Sequence, residues 1–127
     1  MSEIRALIVD DSSVMRKIVE RSLRQAGLNL AMVHEAGNGA EGLELLKTRQ
    51  VDLILSDINM PAMDGLEFLR QIQAQNLAPG VPVVMITTES SEEHVKQAIL
   101  AGARGYILKP FTAEQVKERV LPLLHAA

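Results

Sequence analysis

Residues 52–69 read DLILSDINMPAMDGLEFL, a stretch with the pattern of a strand, a turn and the start of a helix. The run Leu53–Leu55 is apolar at every position, as in strands that are covered on both faces of a parallel sheet. A proline and a glycine then shape a loop. Asp64 precedes Glu67 by three residues, which is the spacing of a helix N-terminal cap. The stretch therefore predicts a buried parallel strand followed by a helix.

The same alternation continues to both ends of the chain. Strands are predicted at Ile4–Val9, Leu30–His34, Leu53–Ser56, Val81–Ile86 and Gly105–Leu108. Helices are predicted at about Met15–Ala26, Gly39–Thr48, Gly65–Gln75 and Glu92–Ala101, with a fifth that begins after Thr112. With right-handed crossovers, this order gives an α/β fold of the (βα)5 type, a doubly wound parallel sheet of five strands. Such sheets bind ligands at the carboxyl ends of their strands.

Several residues mark where the predicted helices begin and end. Ser90 with Glu93 repeats the cap spacing, and Thr112 begins a capping-box sequence. Gly27 is a natural stop for the first helix. Pro122 lies inside the apolar stripe of the last helix, so a kink or fraying is expected there.

Composition narrows the class of protein. The 127 residues correspond to about one domain, and the formal net charge of −3 gives no basic excess for binding nucleic acid. Without cysteine, the chain has no disulfide, thiolate metal site or thiol nucleophile. No apolar run approaches the roughly 18 residues of a membrane helix, and no signal peptide is recognisable. We therefore expect a cytoplasmic globular protein.

Charged and polar side chains follow four of the five predicted strands. Asp10 and Asp11 follow the first strand, Asp57 the third, Thr87 the fourth and Lys109 the fifth. Carboxylates gathered at one sheet edge repel by roughly 4 kcal/mol per pair about 4 Å apart, which a proton or a cation must relieve. A few carboxylates form the pattern of a Mg²⁺ site for phosphate chemistry, and ammonium and hydroxyl groups suit phosphoryl oxygens. The expected nucleophile is a carboxylate that forms an acyl phosphate.

Four stretches of the chain together resemble a known family. They are LIVDDSSVMRK (7–17), DLILSDINMPAMDGLEFL (52–69), PVVMITTES (82–90) and GARGYILKPF (102–111). They resemble the receiver domain of two-component response regulators, most closely the single-domain chemotaxis (CheY-like) type. The resemblance covers essentially the whole chain, so residues 1–127 are interpreted as a single receiver domain. It implies a flavodoxin-like sheet with strand order 2-1-3-4-5.

The resemblance also assigns the chemistry to individual positions. It implies that Asp57 accepts a phosphoryl group from the phosphohistidine of a sensor histidine kinase. Asp10, Asp11 and Asp57 would bind Mg²⁺ together with the backbone carbonyl of Asn59. Lys109 would pair with a phosphoryl oxygen, and the peptide bond between Lys109 and the following proline is typically cis in this family.

Further positions match the family's switch and tuning residues. The resemblance implies that Thr87 bonds a phosphoryl oxygen and that Tyr106 turns inward when Thr87 moves. Asn59 and Glu89 match positions that tune dephosphorylation. Thr88 departs from the family, which usually has Ala or Gly there. Its β-branched side chain is expected to narrow access to the site or slow the turning of Tyr106, and so to alter the lifetime of the phosphorylated state.

The resemblance implies a signalling protein rather than a conventional enzyme. Such a receiver would lose its phosphate slowly to water and switch its affinity for a protein target. The expected target face comprises the fourth helix, fifth strand and fifth helix, and carries Lys96, Arg104, Tyr106, Lys117 and Arg119. A flagellar-motor switch is the favoured target, while a phosphorelay or another pathway stays open. A monomer is expected.

Three alternatives compete with this interpretation. Residues 37–42, GNGAEG, match a dinucleotide-binding pattern, and Asp57 lies 20 residues after Gly37. A nucleotide-binding enzyme would leave Asp10, Asp11 and Lys109 unexplained, and Glu35 would place negative charge beside a pyrophosphate. A receiver that only docks without taking phosphate is a second alternative. A D-x-D-x-T phosphatase is disfavoured because a serine replaces its second aspartate.

Overall fold

Five strands alternate with five helices in the computed structural model, which describes residues 3–125. The strands are β1 (Ile4–Val9), β2 (Leu30–Ala36), β3 (Leu53–Ser56), β4 (Val83–Thr87) and β5 (Gly105–Leu108). The helices are α1 (Ser13–Gln25), α2 (Gly39–Thr48), α3 (Gly65–Ala74), α4 (Glu92–Leu100) and α5 (Ala113–His125). The predicted α/β class and element order are confirmed.

The five strands form one parallel sheet in the order β2-β1-β3-β4-β5. After β1 the chain adds β2 on one side, then returns past β1 to add β3, β4 and β5 on the other. The strand order therefore reverses between β1 and β3. The last residues of these two strands, Val9 and Ser56, pair with each other, so Asp10 and Asp57 leave the sheet side by side. This is the switch point at which doubly wound sheets bind ligands.

Alternate residues of the strands face two separate helical layers. On one face, Ala6 and Ile8 of β1 belong to an aliphatic cluster with residues of α1 and α5, among them Val19, Leu23, Val116 and Val120. On the other face, Leu7 and Val9 belong to a cluster with residues of α2, α3 and α4, among them Leu43, Phe68 and Ala98. Helices thus cover both faces of the sheet, which explains why the strands are apolar at consecutive positions.

Three strand ends differ from the prediction, one in β2 and two in β4, because neighbouring strands set them. β2 extends two residues further than predicted, since Glu35 and Ala36 pair with Ile8 and Val9. β4 begins two residues later than predicted and takes in Thr87 as its last residue. Period and hydropathy do not show where pairing stops, so these ends follow only from the assembled sheet.

The cap of α4 was predicted one residue too early. Ser91, not Ser90, accepts a hydrogen bond from the backbone N–H of His94, at 3.2 Å. The other two caps are confirmed: Asp64 accepts from the N–H of Glu67 at 2.8 Å, and Thr112 accepts from Gln115 at 3.1 Å.

The predictions for the ends of α1 and α5 have different outcomes. Gly27 follows α1 with φ +100°, a left-handed conformation that favours glycine, so the predicted stop is confirmed. α5 continues across Pro122 to His125 rather than fraying there. Among residues 3–125, the helices are too short or too polar to cross a bilayer.

Candidate functional site

Backbone hydrogen bonds hold the first residue after β1 and the first after β3. The N–H of Asp10 donates to the carbonyl of Ala36 at 3.0 Å, and the N–H of Asp57 donates to the carbonyl of Val9 at 2.9 Å. Each bond extends the parallel ladder one residue past the strand. The two aspartates therefore occupy fixed positions at the switch point.

Three carboxylates meet at this edge of the sheet. One carboxylate oxygen from each of Asp10, Asp11 and Asp57 lies within 4.8 Å of the other two. Asp10 is buried, Asp57 is partly buried and Asp11 is exposed. Mg²⁺ binds oxygen at 2.0–2.1 Å, so oxygens on opposite sides of the ion are about 4 Å apart. Carboxylate oxygens gathered this closely could close onto a magnesium ion, and their hard-oxygen chemistry suits it, with one side open to solvent.

Lys109 is the cation of the site. Its Nζ donates to Asp10 Oδ2 at 2.8 Å and to Asp57 Oδ2 at 3.1 Å. Burial alone would lower the pKa of Lys109, but the hydrogen bonds and charges of the two aspartates outweigh burial and raise it. One ammonium against three carboxylates leaves two negative charges uncompensated, which favours a divalent cation. The peptide bond between Lys109 and Pro110 is cis, as the resemblance implies.

Backbone donors orient two of the carboxylates. The N–H of Ile58 donates to Asp57 Oδ1 at 2.7 Å, and the N–H of Ser12 donates to Asp10 Oδ1 at 2.9 Å. The hydroxyl of Ser56 donates to the carbonyl of Asp57 at 2.8 Å. The two backbone donors could not be predicted from the sequence, because no side-chain pattern shows where a backbone N–H points. The N–H groups of Ile58 and Ser12 each leave the other oxygen of the carboxylate that they bind facing Lys109.

A hydrogen bond joins the two loops beside the acidic cluster. Asn59, in the loop after β3, donates through Nδ2 to Glu89 Oε1 at 2.6 Å. His94 of α4 lies with Nδ1 3.5 Å from the other carboxylate oxygen of Glu89. The structure therefore brings together the two positions that the family resemblance associates with dephosphorylation, and it adds His94 as a neighbour.

Thr87 and Tyr106 are connected through the backbone of Glu89. The fully buried Thr87 accepts the N–H of Glu89 through Oγ1 at 3.3 Å. The hydroxyl of Tyr106 donates to the carbonyl of Glu89 at 2.7 Å. The two side chains therefore contact the backbone of the same residue in the β4–α4 loop.

The ionisation of Tyr106 gives the first testable prediction. Burial, then the charges of Glu89 and Asp57, raise the pKa of Tyr106. The chain has one tyrosine, so an absorbance titration of phenolate should show a single midpoint above the ordinary value of about 10. Because the pKa of Tyr106 is raised in the folded state, its protonated side chain favours folding relative to the ionised one. This contribution to the free energy of unfolding is fully present below the pKa of the unfolded chain and is lost as pH rises through the folded pKa.

The urea-unfolded chain is the control, and it should titrate near the ordinary value. Glu89→Gln should move the folded midpoint downward, since it removes one of the repelling charges. A folded midpoint equal to that of the unfolded chain would contradict the placement of Tyr106.

The GNGAEG stretch is explained by close packing. A Cβ on Gly39 would lie 2.8 Å from Cγ of Met63, and one on Gly42 would lie 2.8 Å from the ring of the buried Phe68. Asn38 caps α2 by accepting the N–H of Glu41 at 3.0 Å. These glycines let α2 approach α3 and the loop before it, so the resemblance to a dinucleotide-binding motif has a structural cause.

A groove lies between α4, β5 and α5. It encloses about 470 Å³ and is lined by Val95, Ile99, Ala103, Arg104, Gly105, Tyr106, Leu108 and Arg119. Lys96 lines a neighbouring depression on α4 with Ile99 and Leu100, which are 58% and 77% exposed. Lys117 is exposed on α5. The face that the sequence singled out for a partner thus combines cationic and apolar side chains.

Comparisons with known proteins agree with this geometry. Residues 6–121 match the model of the response regulator receiver domain. The chain is 43% identical over 117 residues to chemotaxis protein CheY-3 of Vibrio cholerae, covering 92% of this chain and 88% of that protein. It is 38% identical over 117 residues to chemotaxis protein CheY of Pseudomonas aeruginosa, covering 92% and 93%.

Solved structures show the same fold. The structure of the chemotaxis response regulator CheY4 of Vibrio cholerae superposes with a TM-score of 0.84 at 34% identity, over 97% of this chain and all of that one. The strand order 2-1-3-4-5 implied by the resemblance is confirmed by the topology. The chain therefore belongs to the response regulator receiver domain family and has a role in two-component signalling.

Proposed function

We propose that this chain is a phosphorylation-operated switch whose acceptor is Asp57. The observation that carries the proposal is the position of Lys109, whose ammonium bridges Asp10 and Asp57 within a cluster of three carboxylates. An ammonium held beside a carboxylate at an open cluster is placed to meet an oxygen of an arriving phosphoryl group.

The proposed transfer breaks one bond and forms one. A carboxylate oxygen of Asp57 forms a bond to phosphorus while the P–N bond of a phosphohistidine breaks. The electron pair of that bond stays on the ring nitrogen, and the imidazole leaves as a neutral ring because its other nitrogen already carries a proton. Lys109 then pairs with a phosphoryl oxygen, and the hydroxyl of Thr87 donates to another. In the slow return step, water attacks phosphorus, the P–O bond to Asp57 breaks, and inorganic phosphate leaves.

Asp10, Asp11, Asp57 and the backbone carbonyl of Asn59 would hold Mg²⁺. When bound, the ion neutralises charge that gathers on the phosphoryl oxygens during transfer. Asp10 is fixed by the N–H of Ser12, so its geometry is set before the ion arrives. Asp11 is exposed and is the ligand nearest to solvent among the three carboxylates.

Turnover of phosphoramidate tests the proposal. Its P–N bond resembles that of phosphohistidine, and continuous release of phosphate requires both transfer to the chain and hydrolysis of the product. We expect slow release that depends on Mg²⁺ and on the protein concentration. Release at the rate of the donor alone, with and without Mg²⁺, would contradict the proposal and favour a receiver that only docks.

Removing one ligand provides a second prediction. Asp11→Ala should weaken Mg²⁺ binding and slow phosphorylation at limiting Mg²⁺ by a similar factor of about tenfold, which corresponds to roughly 1.4 kcal/mol. Because Asp11 is exposed, the fold should survive the change. Calorimetric titration with MgCl₂ measures the first quantity, and acetyl phosphate uptake measures the second. An unchanged Mg²⁺ affinity would remove Asp11 from the site.

The switch is proposed to run through the backbone of Glu89. A phosphoryl oxygen that draws in the hydroxyl of Thr87 would pull on the Glu89 N–H, and the same peptide segment holds the Tyr106 hydroxyl. Phosphorylation would then shift an existing equilibrium between two positions of Tyr106. The lifetime of the phosphorylated state is proposed to depend on Asn59, Glu89 and the exposed Thr88, which border the site.

Thr87→Ala should separate phosphorylation from the response of Tyr106. The variant loses the hydroxyl but keeps Asp57, so it should still take phosphate from acetyl phosphate while the fluorescence change of the single tyrosine falls at least severalfold. Thr87→Ser keeps the hydroxyl and serves as the matched control. A full fluorescence response in Thr87→Ala would contradict this coupling.

We propose that a protein target binds the face formed by α4, β5 and α5. The support is its groove, its exposed Ile99 and Leu100 and its arginines. The chemotaxis names of the relatives favour a motor-type target and a chemotaxis histidine kinase. The stand-alone organisation of residues 1–127, the cytoplasmic location, the monomeric state and slow self-dephosphorylation stay predictions.

A further inference from the structure

An ion pair behind the acidic cluster has no part in the function described so far. Arg16 lies on α1 and Glu35 on β2, and the Nε of Arg16 donates to Glu35 Oε1 at 2.9 Å. Both side chains are largely shielded, at 18% and 28% exposure. Lys17 donates to the second oxygen of Glu35 at 3.0 Å. Hydrogen bonds from Lys17 and then Arg16 lower the pKa of Glu35, which keeps it charged.

The guanidinium of Arg16 also contacts the backbone of the acidic cluster. Its Nη1 donates to the backbone carbonyl of Asp10 at 2.6 Å. The N–H of Asp10 is already bonded to Ala36 of β2. The N–H and the carbonyl of a strand residue point to the same side, so the carbonyl of Asp10 also faces the β2 side. β2 ends at Ala36, so the strand does not continue to the position that would donate to this carbonyl. Arg16 supplies the donor that a neighbouring strand supplies elsewhere, and one planar guanidinium spans the two acceptors.

The carbonyl of Asp10 belongs to the peptide unit that joins Asp10 to Asp11. Because a peptide unit is planar, fixing its carbonyl also fixes the direction in which the chain enters Asp11. Asp11 is exposed, and among the described residues its carboxylate is neither a hydrogen-bond acceptor nor an ion-pair partner. Its position in the cluster therefore depends on the backbone that carries it.

We propose that Arg16, held by Glu35, is a positioning residue that sets the geometry of the Asp10–Asp11 pair for divalent metal. The proposal rests on the function proposed above, since it assumes that this cluster binds Mg²⁺. Groups that orient metal ligands without touching the metal typically change metal affinity by about 10- to 100-fold when they are removed.

Calorimetric titration of the full chain with MgCl₂ tests the proposal. Arg16→Ala should raise the dissociation constant about 10- to 100-fold, and Glu35→Gln should raise it in the same direction by a smaller factor. Arg16→Lys keeps the charge but lacks the fork that reaches both acceptors, so it should remain weakened. Full recovery in Arg16→Lys would show that charge alone matters and would overturn the positioning role.

Two controls separate positioning from loss of an ion pair. Asp52→Asn breaks a comparable pair, because Arg5 donates to Asp52 through Nε and Nη2, both at 3.1 Å, at the opposite end of the sheet. Lys17→Ala removes the other partner of Glu35 without touching Asp10. Both should keep the wild-type Mg²⁺ affinity, even where the free energy of unfolding falls. An equal loss of affinity in Asp52→Asn would overturn the inference.

The same titrations distinguish failure of this inference from failure of the proposed function. If the wild type binds Mg²⁺ and turns over phosphoramidate while Arg16→Ala and Glu35→Gln bind Mg²⁺ equally well, only the positioning role is wrong. If the wild type does not bind Mg²⁺, the proposed function is wrong as well. Should Arg16→Ala fail to fold, Glu35→Gln still tests the positioning role, because glutamine has nearly the same size as glutamate.

Discussion

Replacing Gly65 with alanine is expected to lower the free energy of unfolding by about 3 kcal/mol, at the upper end of the usual cost of overpacking. Gly65 is the first residue of α3, and its N–H donates to the carbonyl of Ile58 at 2.7 Å. A Cβ there would overlap the backbone carbonyl oxygen of Asp57. No rotation of a side chain can relieve that contact, because the backbone fixes the position of a Cβ and the oxygen is itself a backbone atom.

The same steric clash also affects Asp57, the proposed phosphoryl acceptor. Moving α3 away would pull on the loop that carries Asp57, whose N–H and carbonyl are both hydrogen-bonded. We therefore expect Gly65→Ala to slow phosphorylation as well as to shift the urea midpoint. Gly37→Ala is the control: its Cβ would meet only the side-chain carboxylate of Glu41, whose nearest atom lies at 3.5 Å, so stability should change by less than about 1 kcal/mol. Equal stabilities of the two variants would contradict the close approach.

Asp57→Asn is expected to abolish Mg²⁺-dependent turnover of phosphoramidate. An amide oxygen is not a nucleophile of comparable strength, and the variant also removes one negative charge from the metal cluster. The fold should remain, because asparagine has nearly the same shape and Lys109 keeps its 2.8 Å bond to Asp10. Release of inorganic phosphate measures the effect, and the rate should fall to that of the donor alone.

A control for this variant exists in the same loop. Asp64 is an exposed carboxylate that caps α3, and asparagine is an equally good cap. Asp64→Asn should therefore keep both the stability and the turnover of the wild type. Turnover by Asp57→Asn at a rate close to that of Asp64→Asn would show that the phosphoryl group is accepted elsewhere.

The fold was predictable from the sequence to the extent that hydropathy determines it. Strands apolar at consecutive positions, such as Leu53–Leu55, are explained by helices on both faces of the sheet. The ends of β2 and β4 were not predictable, because pairing with a neighbour decides where a strand stops. The order 2-1-3-4-5 came from the family resemblance, since no local pattern states which strands are adjacent.

Some residues of the candidate site were likewise predictable from the sequence, and others were not. Asp10, Asp11, Asp57 and Lys109 were predictable because each follows a strand, and parallel strands bring their carboxyl ends to one edge. Arg16 was not predictable, because its contact with Asp10 depends on the direction of a backbone carbonyl and on the register that places a glutamate of β2 beside α1. Residues that act through the backbone leave little trace in a single sequence.

Intact mass after incubation with acetyl phosphate tests the central claim most directly. Wild type and Asp57→Asn are compared with Mg²⁺ and with a chelator in its place. The account predicts one phosphoryl adduct on the wild type, formed only with Mg²⁺, removed by neutral hydroxylamine as an acyl phosphate is, and missing from Asp57→Asn. An adduct that persists in Asp57→Asn, or no adduct on the wild type under any condition, would contradict it.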